Sequence, residues 1–210
     1  MRKEVSVLGV AAAVLAVTAM PAGAGARPGQ DPTHVVVTVA ELHGSGCPPK
    51  SVDARYISDI RQLEVRYSAY TVQAGGSSSP TDMRKNCEVT LLVYAQGFTY
   101  AVTRVDNRGY ADLQKGASAL HKGTFYFQGA SDRTMITHKL TDASTGLWGF
   151  TDTPAQIGWQ ACGEKRYLRL FTELSVDAGT SQPTKISVNS MDDTDSGIRT
   201  SYHLAWKSCR

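Results

Sequence analysis

The sequence predicts an all-β protein: an antiparallel β-sandwich of jelly-roll or Ig-like layers tied by two disulfides, with a β-barrel as the alternative closure. Three observations point there. Apolar and polar residues alternate with period two over much of the chain, the pattern of strands with one buried and one solvated face. Clusters of Gly, Pro, Ser and Asp interrupt the alternation at short intervals, as turns between short strands do. No long amphipathic helical stretch fits, which argues against the strand and helix alternation of a parallel α/β fold.

The chain opens with an address. Arg2 and Lys3 precede an uncharged run over residues 5–19, followed by Pro21 and small residues to Ala26, so residues 1–26 read as a signal peptide cleaved after Ala24 or Ala26. The run is shorter than the roughly 20 residues a membrane-spanning helix needs. Residues 27–34 are expected to be a flexible N-terminus, and 35–210 one sandwich domain, secreted, extracellular and without a membrane anchor.

Strands are expected over 35–42, which is rich in β-branched residues, and over 51–57. Leu63, Val65, Tyr67 and Ala69 then alternate with Glu64, Arg66, Ser68 and Tyr70, giving one apolar face. Residues 74–80 are a Gly/Ser loop by composition. Segments 89–94 and 98–105 flank Ala95-Gln96-Gly97 at hairpin spacing. A helical turn is expected within 111–119, and short strands at 124–127 and 134–140. The C-terminal third has the clearest alternation, in Leu168, Leu170, Thr172, Leu174 and Val176, and again in Ile198, Thr200, Tyr202, Leu204 and Trp206.

Charge excludes little but guides the choice of partner. Twenty-two Lys and Arg stand against 19 Asp and Glu, a net +3, and no basic run tracks a phosphate backbone, so nucleic acid is not expected. Cys47, Cys87, Cys162 and Cys209 make an even count, which in an oxidising compartment reads as two disulfides. Three pairings are formally open. The sequential one, Cys47 with Cys87 and Cys162 with Cys209, closes the shortest loops and is the expected one. No C-x-x-C pair or His at ligand spacing supports zinc.

Motifs for catalysis are missing. His34, His43, His121, His138 and His203 supply bases, yet no Gly-x-Ser-x-Gly elbow or His-Glu-x-x-His accompanies them. Glu164, Glu173, Asp106 and Asp112 are carboxylates of the kind glycoside hydrolysis pairs, but their separation is not readable. The turn Asp192-Asp193-Thr194-Asp195-Ser196-Gly197 offers Asp192, Asp193 and Asp195 to calcium. It does not match the twelve-residue loop and reads first as a hairpin turn. No cofactor is expected, and the protein is expected to be a monomer.

Recognition is the reading left, with aromatic rings as its instrument. Tyr70, Tyr126 and Phe171 fall out of register with their buried neighbours, while Trp148 and Trp159 sit in Gly-rich segments, so these five are the candidate ligand-binding residues. Extracellular polysaccharide, or a protein, is the partner class. The alternative is a proteinase inhibitor presenting Gly46-Cys47-Pro48-Pro49-Lys50, a loop stiffened by two prolines and a disulfide.

The stretches Gly44-Ser45-Gly46-Cys47-Pro48, Tyr67-Ser68-Ala69-Tyr70-Thr71, Ser79-Pro80-Thr81-Asp82 with Arg84-Lys85-Asn86-Cys87, and Gln96-Gly97-Phe98-Thr99-Tyr100 carry a resemblance. So do Arg108-Gly109-Tyr110, Tyr126-Phe127-Gln128-Gly129, Cys162-Gly163-Glu164, Met191-Asp192 and the ending His203-Leu204-Ala205-Trp206-Lys207 with Cys209. Together they resemble a secreted family of actinobacteria and ascomycete fungi catalogued as domain of unknown function 4360. The resemblance implies a secreted protein with two disulfides, and it implies no activity. It also leaves one local question, because residues 51–63 lack the Pro/Asp/Asn-type turn expected of a first hairpin.

Overall fold

A computed structural model of the chain describes residues 31–141, 143–192 and 197–209; the expected signal peptide lies outside them. In chain order the strands are β1 (Val36–His43), β2 (Val52–Ile57), β3 (Gln62–Tyr67), β4 (Thr71–Ala74), β5 (Arg84–Tyr94) and β6 (Phe98–Asp112). They continue with β7 (Ser118–Phe127), β8 (Thr134–Thr141), β9 (Thr145–Asp152), β10 (Leu168–Asp177), β11 (Ser187–Ser190) and β12 (Arg199–Ser208). A single short 3-10 turn, Ser58–Ile60, is the helical element among the described residues.

The strands form two antiparallel sheets. The first has the order β1-β5-β10-β7-β8, and the second runs β2-β3-β12-β6-β11-β4 with β9 also paired to β6. Both sheets are open, so the protein is a sandwich and not a barrel. The long β6 organises the second sheet. Its residues Val105–Asp112 pair β9 on one edge; on the other, β12 pairs up to Arg108 and β11 takes over from Tyr110.

The alternation seen in the sequence places the core. Leu168, Leu170 and Leu174 of β10 face inward, against a layer that includes Leu63, Val65, Tyr67, Tyr202 and Leu204 from β3 and β12, all buried in one apolar cluster. Burying side chains of this size contributes roughly 1.5–3 kcal/mol each. Cys47 pairs with Cys87 and Cys162 with Cys209, the sequential pairing. The first bridge holds the segment after β1 against β5, and the second holds the connection 153–167 against the end of β12.

Three local expectations are corrected. Segments 89–94 and 98–105 do not form a hairpin: β5 pairs β1 and β10, β6 pairs β12, β9 and β11, and residues 95–97 carry the chain from one sheet to the other. Alternation fixes which face of a strand is buried but not which edge pairs. Residues 111–119 contain no helical turn, because β6 runs to Asp112 and β7 begins at Ser118. The acidic turn does not close a hairpin either; β11 and β12 succeed one another along the same edge of β6. The first hairpin, β2 with β3, turns through Ser58–Ile60, and Arg61 takes the left-handed conformation at φ 52° in place of a glycine.

Candidate functional site

The longest connection between described strands, residues 153–167, joins β9 to β10 across one end of the sandwich. Connections of this length are uncommon unless they fold locally or carry function. This one is fixed. Trp159 bridges to Ala101 of β6, Gln160 N donates to Tyr100 O at 3.0 Å, and the Thr99 hydroxyl donates to Gln160 O. The Gln160 side-chain amide donates to Glu164 O and Arg166 O at 3.0 and 3.2 Å, and the Cys162–Cys209 bridge closes the far side.

Between this connection and the β7–β8 hairpin lies a groove of about 710 Å³. Phe125, Phe127, Val102 and Leu168 form its apolar base, Tyr126 and Trp159 its half-buried rings, and Asp132, Arg133, Thr134, Thr153 and Gln156 its hydrogen-bonding groups. Met135 stands at its rim, 81% exposed. The two rings are steadied by cations: Arg133 lies 4.4 Å from the Tyr126 centroid and Lys207 3.7 Å from the Trp159 centroid. Each ring therefore has only its opposite face left for a ligand. An apolar floor with a few polar groups at the wall is the usual construction of a small-molecule site.

Of the five candidate aromatics, then, Tyr126 and Trp159 come together in this groove. Phe171 stands apart on the outer face of the first sheet, half-buried beside Arg84, Lys85, Asn86 and Glu173. Tyr70 and Trp148 are corrected as exposed rings. Tyr70 is 0% exposed; its ring packs edge-on to Tyr67 and lies where a Cβ on Gly46 would have to be, 2.3 Å from Cε2. Trp148 is 7% exposed, its indole lying over Gly109 and its Nε1 donating to Asn189 Oδ1 at 3.0 Å.

The histidines form no nucleophile and base pair among the described residues. His203 is bonded on the outer face of the second sheet, with Nε2 2.6 Å from Asp106 Oδ2 and 2.8 Å from an Arg104 nitrogen. Burial pushes the Asp106 carboxyl upward, but hydrogen bonds from His203 and Thr151 and the charge of Arg104 outweigh it and hold the group below its ordinary range. His138 Nε2 is 2.9 Å from Asp152 and links β8 to β9. His121 is fully buried between Trp148 and His138, with neither ring nitrogen hydrogen-bonded.

Among the described residues no group of three or more His, Cys, Asp or Glu could hold a metal ion; of the calcium candidates, Asp192 makes a parallel bridge to Tyr67, and Asp193 and Asp195 lie outside the described residues. The loop suggested for an inhibitor is a closed turn: Ser51 N and Oγ both donate to Pro48 O, at 3.1 and 2.7 Å, and Lys50 has φ 69°. It does not present an extended segment.

A disulfide-tied two-sheet sandwich with an aromatic groove at one end is the class the geometry defines. The family described as domain of unknown function (DUF4360) matches residues 33–209, and the chain belongs to it, as the motif resemblance implies. A relative in Arthroderma benhamiae bearing the name "Uncharacterized secreted protein" is 30% identical over 192 residues, covering 89% of this chain and 76% of the relative. Among solved structures, TmCBM61 in complex with beta-1,4-galactotriose is similar at a TM-score of 0.29 and 10% identity, over 86% of this chain and 94% of that one, a likeness too weak to bear on the site. No helix among the described residues is long and apolar enough to cross a membrane.

Proposed function

We propose that the protein is secreted and acts outside the cell as a non-catalytic recognition protein, holding a segment of polysaccharide in the groove between the β7–β8 hairpin and residues 153–159. The observation that carries this reading is the meeting of Trp159 and Tyr126 with hydrogen-bonding side chains over one apolar base. A sugar ring has an apolar face for stacking and an equator of hydroxyls for hydrogen bonds, and the groove offers a partner for each. The two disulfides and the secreted relative support the location.

The test is retention of the purified protein on cellulose, chitin, starch and peptidoglycan, compared with its Trp159→Ala variant. Trp148 and Trp206 are buried, so a change in tryptophan fluorescence on binding soluble fragments reports on Trp159. The expected result is retention on at least one polymer, with affinity falling ten-fold or more in the variant. Retention on none, or equal retention of both proteins, overturns the proposal.

A further inference from the structure

β9 pairs only with β6, so its other edge presents backbone N–H and C=O groups with no backbone partner among the described residues. A bare edge invites another strand, and proteins usually blunt it with charge, proline, a bulge or shortness. The other edge strands carry such devices. β1 is bulged between Val39 and Glu41, β2 has Asp53 and Arg55, β4 has four residues, and β8 has His138 and Lys139. β9 is different. From Thr145 to Thr151 it reads Thr-Gly-Leu-Trp-Gly-Phe-Thr, with no charge, no proline and an unbroken register to β6.

Two residues on this strand lack a reason within the chain. Leu147 is 62% exposed on the outer face. Gly149, the next residue on that face, has no positive φ, and a Cβ there would meet nothing nearer than 3.8 Å, with Arg108 Cγ at 3.9 Å. Neither backbone nor packing asks for a glycine. Inside a strand such a glycine weakens the element and often marks where another backbone comes close. Gly146, by contrast, has φ 130° and is required by its own conformation.

Both residues are accounted for when the strand meets its own copy. Directly opposite residues of an antiparallel pair share a face, and a two-fold axis at Trp148 sets Leu147 opposite the partner's Gly149. It likewise sets Gly146 opposite the partner's Phe150 and Thr145 opposite the partner's Thr151. Each glycine then faces a large side chain. The same device operates within the chain, where the Trp148 indole leans towards β6 over Gly109, away from the free edge. Charges stay apart as well. Continued onto β6, one outer row runs Arg108, Gly149, the partner's Leu147 and the partner's Tyr110, so the two copies of Arg108 occupy different rows. The other runs Asp106, Thr151, the partner's Thr145 and the partner's Asp112, with the threonine hydroxyls donating to Asp106 at 2.8 Å and to Asp112 at 2.9 Å. Those two acids stand three strand spacings apart, roughly 14 Å, beyond the Debye length of about 10 Å at 0.1 M salt. Asp152 lies past this stretch and is bonded by His138; Lys139, alternating with the inward His138 on β8, points to the outer face of the other sheet.

We infer that β9 is a dimerisation edge: two copies of the chain pair antiparallel through Thr145–Thr151 about a two-fold axis at Trp148, joining their second sheets into one. Such a contact is isologous and closes on itself. None of these residues lines the groove, so this pairing and the polysaccharide reading stand or fall separately.

The experiment is sedimentation equilibrium of the purified, disulfide-intact protein from about 1 μM to about 1 mM, for the parent and two variants. Leu147→Lys brings an ammonium beside the partner's Arg108, and Gly149→Val fills the space the partner's Leu147 takes. Both positions are exposed, and circular dichroism with the urea midpoint reports that each variant is folded. The expected result is a monomer–dimer equilibrium in the parent, with a dissociation constant raised ten-fold or more in each variant. Amide exchange in β9 of the parent is expected to slow as concentration rises, a reading that stands even where a variant does not fold. A monomer at every concentration, association that either folded variant leaves unchanged, or β9 exchange that ignores concentration overturns the inference.

Discussion

His121 is fully buried with neither ring nitrogen hydrogen-bonded to another group of the protein, and that has a consequence for acid stability. Desolvation, with the charge of His138 adding to it, pushes its imidazole down from 6.5 to about 4. The unfolded chain therefore binds a proton that the folded chain refuses, and stability falls as the pH drops from about 6.5 towards 4. The loss amounts to roughly 3 kcal/mol once the pH is below both values. Urea unfolding of the parent and of His121→Leu at pH 7 and pH 4 isolates this contribution from that of Glu64, Glu173 and Asp106, which are common to both. The expected result is that the variant loses less stability on acidification than the parent. The surroundings of Trp148 also show why burial is not legible at every position of the sequence. A Gly-rich segment suggested an exposed indole, whereas Gly109 on the facing strand is the space the indole fills: a Cβ there would sit 2.2 Å from Trp148. Tyr70 stands in the same relation to Gly46. A missing side chain exposes a ring or houses it, and only the pairing of strands decides which. Gly109→Ala is accordingly expected to destabilise the protein by about 1–3 kcal/mol, read as a fall in the urea midpoint with unchanged slope.

At the level of elements, the connection 153–167 is held by backbone bonds to β6 and by one disulfide. Cys162 and Cys209 are 47 positions apart, and closing a loop of that size restricts the unfolded chain by about 4 kcal/mol in the chain-entropy description. Replacing both by Ser is expected to lower the melting temperature and, because the bridge anchors one groove wall, to weaken polysaccharide retention at temperatures where circular dichroism still reports intact strands. The individual strands were legible in the sequence because β10 and β12 bury every second residue. Their partners were not. β5 and β6 read as a hairpin since both have an apolar face and a short glycine-containing turn, yet the turn crosses between layers; an inward-facing row of side chains is compatible with either sheet. The groove is half legible: Tyr126 and Trp159 are candidates one by one, but nothing local in the chain announces that residues 153–159 and the β7–β8 hairpin line the same groove.

Across the whole molecule, the sheet order is dominated by partners distant in sequence: β1 with β5, β3 with β12, β10 with β5 and β7. Closing such loops costs entropy before contacts form, and all-β domains of this kind refold in milliseconds to seconds. Stopped-flow refolding with both disulfides intact is expected in that range, and slower after reduction, since each bridge shortens the loops to be closed. The border between the layers at β8 and β9 has a different character. The two strands are consecutive in the chain, but each ladders only to its own sheet, β8 to β7 and β9 to β6. Among the described residues, side chains reach across between them in the His138–Asp152 bond and the stacking of His138 on Phe150. The groove opens at the end of this same border, between Thr134 and Met135 on one side and Thr153 and Pro154 on the other. At this mouth the two walls are thus held to each other by a zipper of a few side chains, and no rung of either sheet spans the gap between β8 and β9.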